Sequence, residues 1–133
     1  MSIQGSCLCG DISYSYGGTI TEIAMCHCQQ CRKAQGSAFA TNMVIDENLF
    51  TMHDDNAILR EYESSEDKIR AFCSACGSPL YSYRQSIPGI LRLRIGTLDT
   101  KIDQRVNYHA FYDSRAEWYE GTDTLKKFPE GKM

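Results

Sequence analysis

Cys73-Ser74-Ala75-Cys76-Gly77 places two thiols three residues apart and follows them with a glycine. A tight turn over that spacing brings both sulfurs to one point, and Gly77 accepts the backbone conformation such a turn requires. Two thiolates are half of a tetrahedral metal site. The complementary half is Cys7-Leu8-Cys9-Gly10, near the start of the chain. Residues two apart in an extended segment face the same side, so Cys7 and Cys9 present their sulfurs together. The two pairs complete each other as a closed site, which would tie the beginning of the polypeptide to its middle. A structural metal of this kind contributes on the order of 10 kcal/mol to folding at neutral pH. Two disulfides, or four unmodified core thiols, are the competing readings of the same residues.

Three further cysteines stand in Cys26-His27-Cys28-Gln29-Gln30-Cys31. Cys26 and Cys28 share a face if the segment is extended, and Cys31 returns through a C-x-x-C turn. Once the outer four are used, no fourth cysteine remains. Three protein ligands with one position open is the arrangement of a catalytic metal centre. A redox-active trio, or a weakly held metal, fits the spacing too. His27 lies between two ligands and should point away from the metal, as a packing or supporting residue. His109 is the better candidate for a fourth ligand than His53. Arg32 and Lys33 follow the cluster and either lower the thiol pKa values and attract an anion or form a solvated helix start.

The bulk numbers narrow the class. A length of 133 residues is that of one ordinary domain, expected here as 1–133, and 42% hydrophobic with 23% charged residues reads as globular. Net charge of −3 argues against non-specific nucleic-acid binding, which runs on clustered Lys and Arg. No apolar run approaches the roughly 20 residues of a membrane span. The opening MSIQGSCLCG lacks the basic start and apolar middle of a secretory signal, so a cytoplasmic, reducing location is expected. There, seven clustered cysteines are metal ligands or catalytic thiols before they are disulfides, and an odd number cannot all pair within one chain.

The remaining pattern is mostly β. Ile12, Tyr14 and Tyr16 alternate with serines and end at Gly17-Gly18, while Leu91, Leu93 and Ile95 alternate with Arg92 and Arg94. Ala38 to Ile45, Ile58 to Tyr62, Ile69 to Cys73, Leu80 to Tyr83 and Val106 to Tyr112 are weaker strand candidates. Arg32 to Gln35 predicts a turn of helix stopped by Gly36, and the capping-box spacing from Ser114 to Glu117 predicts another. Arg92 and Arg94 sit on the expected solvent face of their strand, with substrate carboxylates as an alternative use. Tyr81, Tyr83 and Phe39 read as core or as a pocket wall.

Gly5 to Gly10, CHCQQCRKAQGSAFA (Cys26 to Ala40) and FCSACGSPLYS (Phe72 to Ser82) resemble the glutathione-dependent formaldehyde-activating enzyme family, which shares its domain with centromere protein V. LRLRIGTLD (Leu91 to Asp99) and the region around His109, Trp118 and Phe128 extend the resemblance over nearly the whole chain. It implies a β-tent fold of small antiparallel sheets around zinc. It implies a structural zinc at Cys7, Cys9, Cys73 and Cys76, and a catalytic-type zinc at Cys26, Cys28 and Cys31. The implied activity is that of a carbon–sulfur lyase of the S-(hydroxymethyl)glutathione synthase type, with glutathione or a related small thiol as partner. A non-catalytic zinc scaffold and a thiol redox protein are the competing functions.

Overall fold

The computed structural model describes residues 2–132. The strands, in chain order, are β1 (Ile3–Ser6), β2 (Ser13–Tyr16), β3 (Ile23–Cys26), β4 (Ala40–Asp46), β5 (Phe50–His53), β6 (Leu59–Ser65), β7 (Lys68–Cys73), β8 (Pro79–Arg84), β9 (Ile90–Arg94), β10 (Tyr108–Ala110) and β11 (Lys126–Lys127). The single α-helix among the described residues, α1 (Gln29–Gln35), follows β3. The chain is therefore mostly β, as the alternating segments predicted.

The strands form two sheets. One is three-stranded and antiparallel in the order β1-β2-β5; the other runs β11-β10-β3-β4-β9-β8-β7-β6. Most pairings in the larger sheet are antiparallel, but β10 lies parallel to both β3 and β11. Ile3, Tyr14 and Tyr16 from the small sheet, with Ile12 just before β2, pack with Ile23, Met43, Ile45, Leu91 and Leu93 from the large one. Burying a side chain of this size contributes about 1.5–3 kcal/mol.

Register decides what the other face of the large sheet carries. Because Ile23 pairs with Met43, and Met43 with Leu93, those side chains share the core face. The intervening residues are turned the opposite way: Ala24 and Cys26 on β3, Ala40 and Asn42 on β4, Arg92 and Arg94 on β9. Ser82 pairs with Arg92, and Arg70 with Ser82, which continues the row onto β7. Thus one face holds the fold together, while the other collects Cys26 and a line of cations. Helix α1 sits over that second face, where Gln35 accepts a hydrogen bond from Arg94 Nε at 3.0 Å.

Some local expectations shift. The segment after β10 is not a helix beginning at Ser114. A single 3-10 turn spans Tyr112–Ser114, and Arg115 is already extended, so Ser114 closes the turn instead of opening one. The alternation that continued to Ile95 stops at Arg94, where a 3-10 turn over Ile95–Thr97 takes over. Among the described residues, no helix is long and apolar enough to cross a membrane.

Candidate metal centres

The four outer thiols converge. Sγ of Cys7 lies 3.6 Å from that of Cys9, and Cys9 Sγ lies 3.9 Å from that of Cys73. All four sulfurs of Cys7, Cys9, Cys73 and Cys76 lie within 4.8 Å of one another. A disulfide would need about 2.05 Å. The edge of a tetrahedron with metal–sulfur bonds of about 2.3 Å is about 3.8 Å, so the donor set fits a tetrahedral metal.

Local geometry explains the convergence. Gly10 and Gly77 both adopt positive φ, 83° and 80°, which bends each clip back on itself. Gly77 N–H donates to the Cys73 carbonyl at 2.7 Å, and Gly10 N–H to that of Cys7 at 3.1 Å. The Leu8 amide donates to Ser78 Oγ at 2.9 Å, joining the two clips directly. The Ser78 hydroxyl lies 3.3 Å from Cys76 Sγ and is the main cause holding that thiol down to about 5.

Cys26, Cys28 and Cys31 form the second group, again with sulfurs within 4.8 Å of one another. Cys26 is the last residue of β3. Cys28 is the N-cap of α1, where its Sγ accepts from the Cys31 amide at 3.3 Å. Cys31 lies in the first helical turn and is buried. All seven cysteines are free thiols. Two thiol groups able to hold metal ions are therefore present, one of four sulfurs and one of three.

The electrostatics differ from the expected pattern. The Cys31 thiol is held far below its usual value, first by hydrogen bonds from Cys26 and Cys28 and then by the charges of Arg70 and Arg94. Arg70 Nη2 lies 3.8 Å from Cys31 Sγ. The neighbours in sequence, Arg32 and Lys33, are not the source: Lys33 is exposed, and Arg32 buries its Nε without a partner. Arg94 is only 3% exposed, contrary to the solvent face expected for it, because α1 covers that side of β9. It donates to Gln35, to Ser82 Oγ at 3.1 Å and to the Arg92 carbonyl at 3.1 Å.

His27 faces away from this trio and is fully buried. It packs among Phe39, Tyr112 and Tyr119 at 5.2, 5.3 and 5.2 Å between centroids. Its Nε2 lies 2.8 Å from His109 Nδ1, and His109 Nε2 lies 2.9 Å from Asp123 Oδ2. The Asp123 carboxyl is held down to about 2, chiefly by that hydrogen bond. An ionised carboxylate accepts, so His109 Nε2–H donates to Asp123 and His27 Nε2–H donates to His109. Burial first, then His109, pushes His27 down to about 4 and keeps it neutral. His109 is thus committed to His27 and Asp123 and is not a fourth ligand for the trio. His53 lies on the small sheet, opposite Ser13.

A cleft of about 260 Å³ opens beside the trio, lined by Gln35, Arg70, Arg94, Phe72, Pro79 and Tyr81 among others. Tyr81 does wall this cleft, Phe39 packs on His27 and lines a neighbouring cleft that shares Gln35, Pro79 and Arg94, and Tyr83 Oη donates to Glu61. Sequence reading missed Arg70 and the Asp123–His109–His27 chain. Arg70 is 39 residues from Cys31, and only the β7–β8–β9 register shows that the two meet.

Comparison with known proteins is consistent with this architecture. The family model described as glutathione-dependent formaldehyde-activating enzyme matches residues 2–114. No curated protein matches the chain. A crystal structure of a Rhodobacter sphaeroides protein superposes with a TM-score of 0.61 at 19% identity, over 75% of this chain and 91% of that one. At that identity the likeness shows a shared fold.

Proposed function

The chain belongs to the glutathione-dependent formaldehyde-activating enzyme family, and from that premise we propose that it is a zinc-dependent carbon–sulfur lyase of the β-tent type. In this reading residues 1–133 form one domain. Cys7, Cys9, Cys73 and Cys76 hold a structural zinc, while Cys26, Cys28 and Cys31 hold a catalytic one. The reaction joins glutathione, or a related small thiol, to formaldehyde, or splits the adduct. A carbon–sulfur bond forms, the thiol proton leaves sulfur, and the carbonyl oxygen becomes a hydroxyl.

The observation that carries the reading is the trio itself: three sulfurs within 4.8 Å of one another beside a cleft, with no histidine or carboxylate completing the group among the described residues. Zinc bound there would supply a position for the substrate thiolate and a Lewis acid for the aldehyde oxygen. The chain's own residues do the rest. Arg70 and Arg94 favour the ionised sulfurs, Cys28 caps the helix that presents Cys31, and the buried histidine pair fixes the segment between Cys26 and Cys28.

Metal analysis combined with Co²⁺ substitution tests this. Glutathione should change the visible absorption of the cobalt protein, and Cys28→Ser should abolish both that change and formation of the hydroxymethyl adduct while the protein stays folded. An unchanged spectrum with full activity in Cys28→Ser would rule the trio out.

A further inference from the structure

Arg70 links the three-thiol centre to the cleft. Its Nε donates to Ser64 Oγ at 2.9 Å and its Nη2 reaches Cys31 Sγ, but its Nη1 is buried with no partner. A buried, unpaired guanidinium N–H costs roughly what a lost charged hydrogen bond does, so it is kept for something. Arg94 flanks the same spot. It donates to Ser82 Oγ, and Ser82 is the cross-strand neighbour of Arg70. Nε and Nη1 of Arg94 are used, which leaves Nη2 without a partner among the described residues.

The surroundings reinforce the point. Lys68 and Arg92 share the sheet face with Arg70 and Arg94. Burial, then the charge of Arg92, pushes Lys68 down to about 8. The ion pairs among the described residues are His109–Asp123, Lys127–Asp123 and Lys132–Glu22, so none of these four cations has a carboxylate partner. Three thiolates with a divalent metal sum to −1, against four positive charges. In a chain of net charge −3, such a surplus is a local construction.

We propose that this face is a carboxylate-binding subsite, in which Arg70 and Arg94 hold a carboxylate of the thiol substrate while its sulfur reaches the trio. A carboxylate has two oxygens, one for the unpartnered Nη1 of Arg70 and one for the unpartnered Nη2 of Arg94, and such charge-assisted hydrogen bonds are the strong ones. The apolar side chains of Phe72 and Pro79 line the cleft beside the two guanidinium groups and suit the uncharged stem of such a ligand. The subsite rests on the reading of the trio as the thiol site and assigns the selectivity that reading lacks: anionic thiols over neutral ones.

The test is calorimetric. S-methylglutathione keeps both carboxylates and has no free thiol; its dimethyl ester has neither carboxylate. The wild-type protein should bind the acid at least tenfold more tightly than the ester. Arg70→Gln should erase that preference, Arg70→Lys should retain part of it, and Arg105→Gln, at an exposed site, should leave it intact. Equal affinity for acid and ester, no binding of the acid, or a preference that survives both Arg70→Gln and Arg94→Lys would overturn the subsite. If the preference follows Arg70 but glutathione leaves the cobalt spectrum unchanged, the subsite stands and the assignment of the trio as the thiol site fails.

Discussion

Around the four-thiol centre the polar neighbours are the Ser78 hydroxyl and backbone amides; around the three-thiol centre they are guanidinium groups. The first centre is made by two tight clips 64 residues apart in sequence, each closed by a glycine at positive φ. The second is made by a strand end and a helix start within six residues. Three of the four buried polar atoms without partners, Arg32 Nε, Asn42 Oδ1 and Arg70 Nη1, lie on the face or helix that carries the trio, and the fourth, His27 Nδ1, lies in the segment between Cys26 and Cys28. None lies in the clips. The same side chain can therefore be placed for two purposes. Satisfied neighbours and long-range closure suit a joint that holds the chain together. Surplus charge and unpaired donors suit a place where a ligand arrives.

The largest expected effect tests the first half of that contrast. Cys76→Ser removes one of four thiolates, and a structural metal is worth on the order of 10 kcal/mol, which is comparable to the whole stability of a domain. The variant should be unfolded at 25 °C by circular dichroism. Cys28→Ser should fold, since serine is itself a preferred N-cap and α1 keeps its start. If Cys76→Ser folds normally, or Cys28→Ser does not, the two centres do not differ as described.

A smaller effect separates the centres by lability. During titration with a chelator, the first metal released should be the one at the trio, with the far-ultraviolet spectrum unchanged. Unfolding should accompany only the second. Loss of structure with the first equivalent would reverse the assignment.

The Asp123–His109–His27 chain supports only the trio's loop. Asp123→Asn removes the ionised acceptor of a buried histidine and should cost about 1 kcal/mol, since the carboxylate is partly exposed and screened. The Asp123 carboxyl titrates lower in the folded chain than its ordinary value of 3.8, at about 2. Its stabilising contribution is therefore complete above pH 4 and is lost as the pH falls toward 2. Denaturation curves of wild type and variant should differ at neutral pH and converge at the acid end of that window. Curves that stay parallel down to pH 2 would mean that His109 does not use this carboxylate.

The smallest effect concerns the cations next to the cluster in sequence. Lys33→Gln should change stability by less than about 0.5 kcal/mol and leave glutathione affinity unaltered, because Lys33 is exposed and away from Cys31. Calorimetry showing a tenfold loss would restore to Lys33 the role assigned here to Arg70.

The clips were legible because their chemistry is local: spacing and a following glycine state both the turn and the ligand pair. The alternating runs at Ser13–Tyr16 and Ile90–Arg94 were legible for the same reason. Arg94 was misjudged because alternation tells which side of a strand a residue takes, not whether a helix covers that side. Arg70 was invisible as a partner of Cys31, since only strand register joins β7 to the helix. His109 looked like a spare ligand until Asp123, 14 residues onward, was seen to hold its outer nitrogen. Short strands such as Ile3–Ser6 and Phe50–His53 carry too few residues for a period to show; pairing with β2 makes them strands.

Zinc stoichiometry in Cys28→Ser, set beside wild type, reaches the central claim most directly. Elemental analysis of freshly purified protein should give two zinc ions per wild-type chain and one per folded variant chain. One zinc in both proteins, or none in a variant that remains folded, would contradict it.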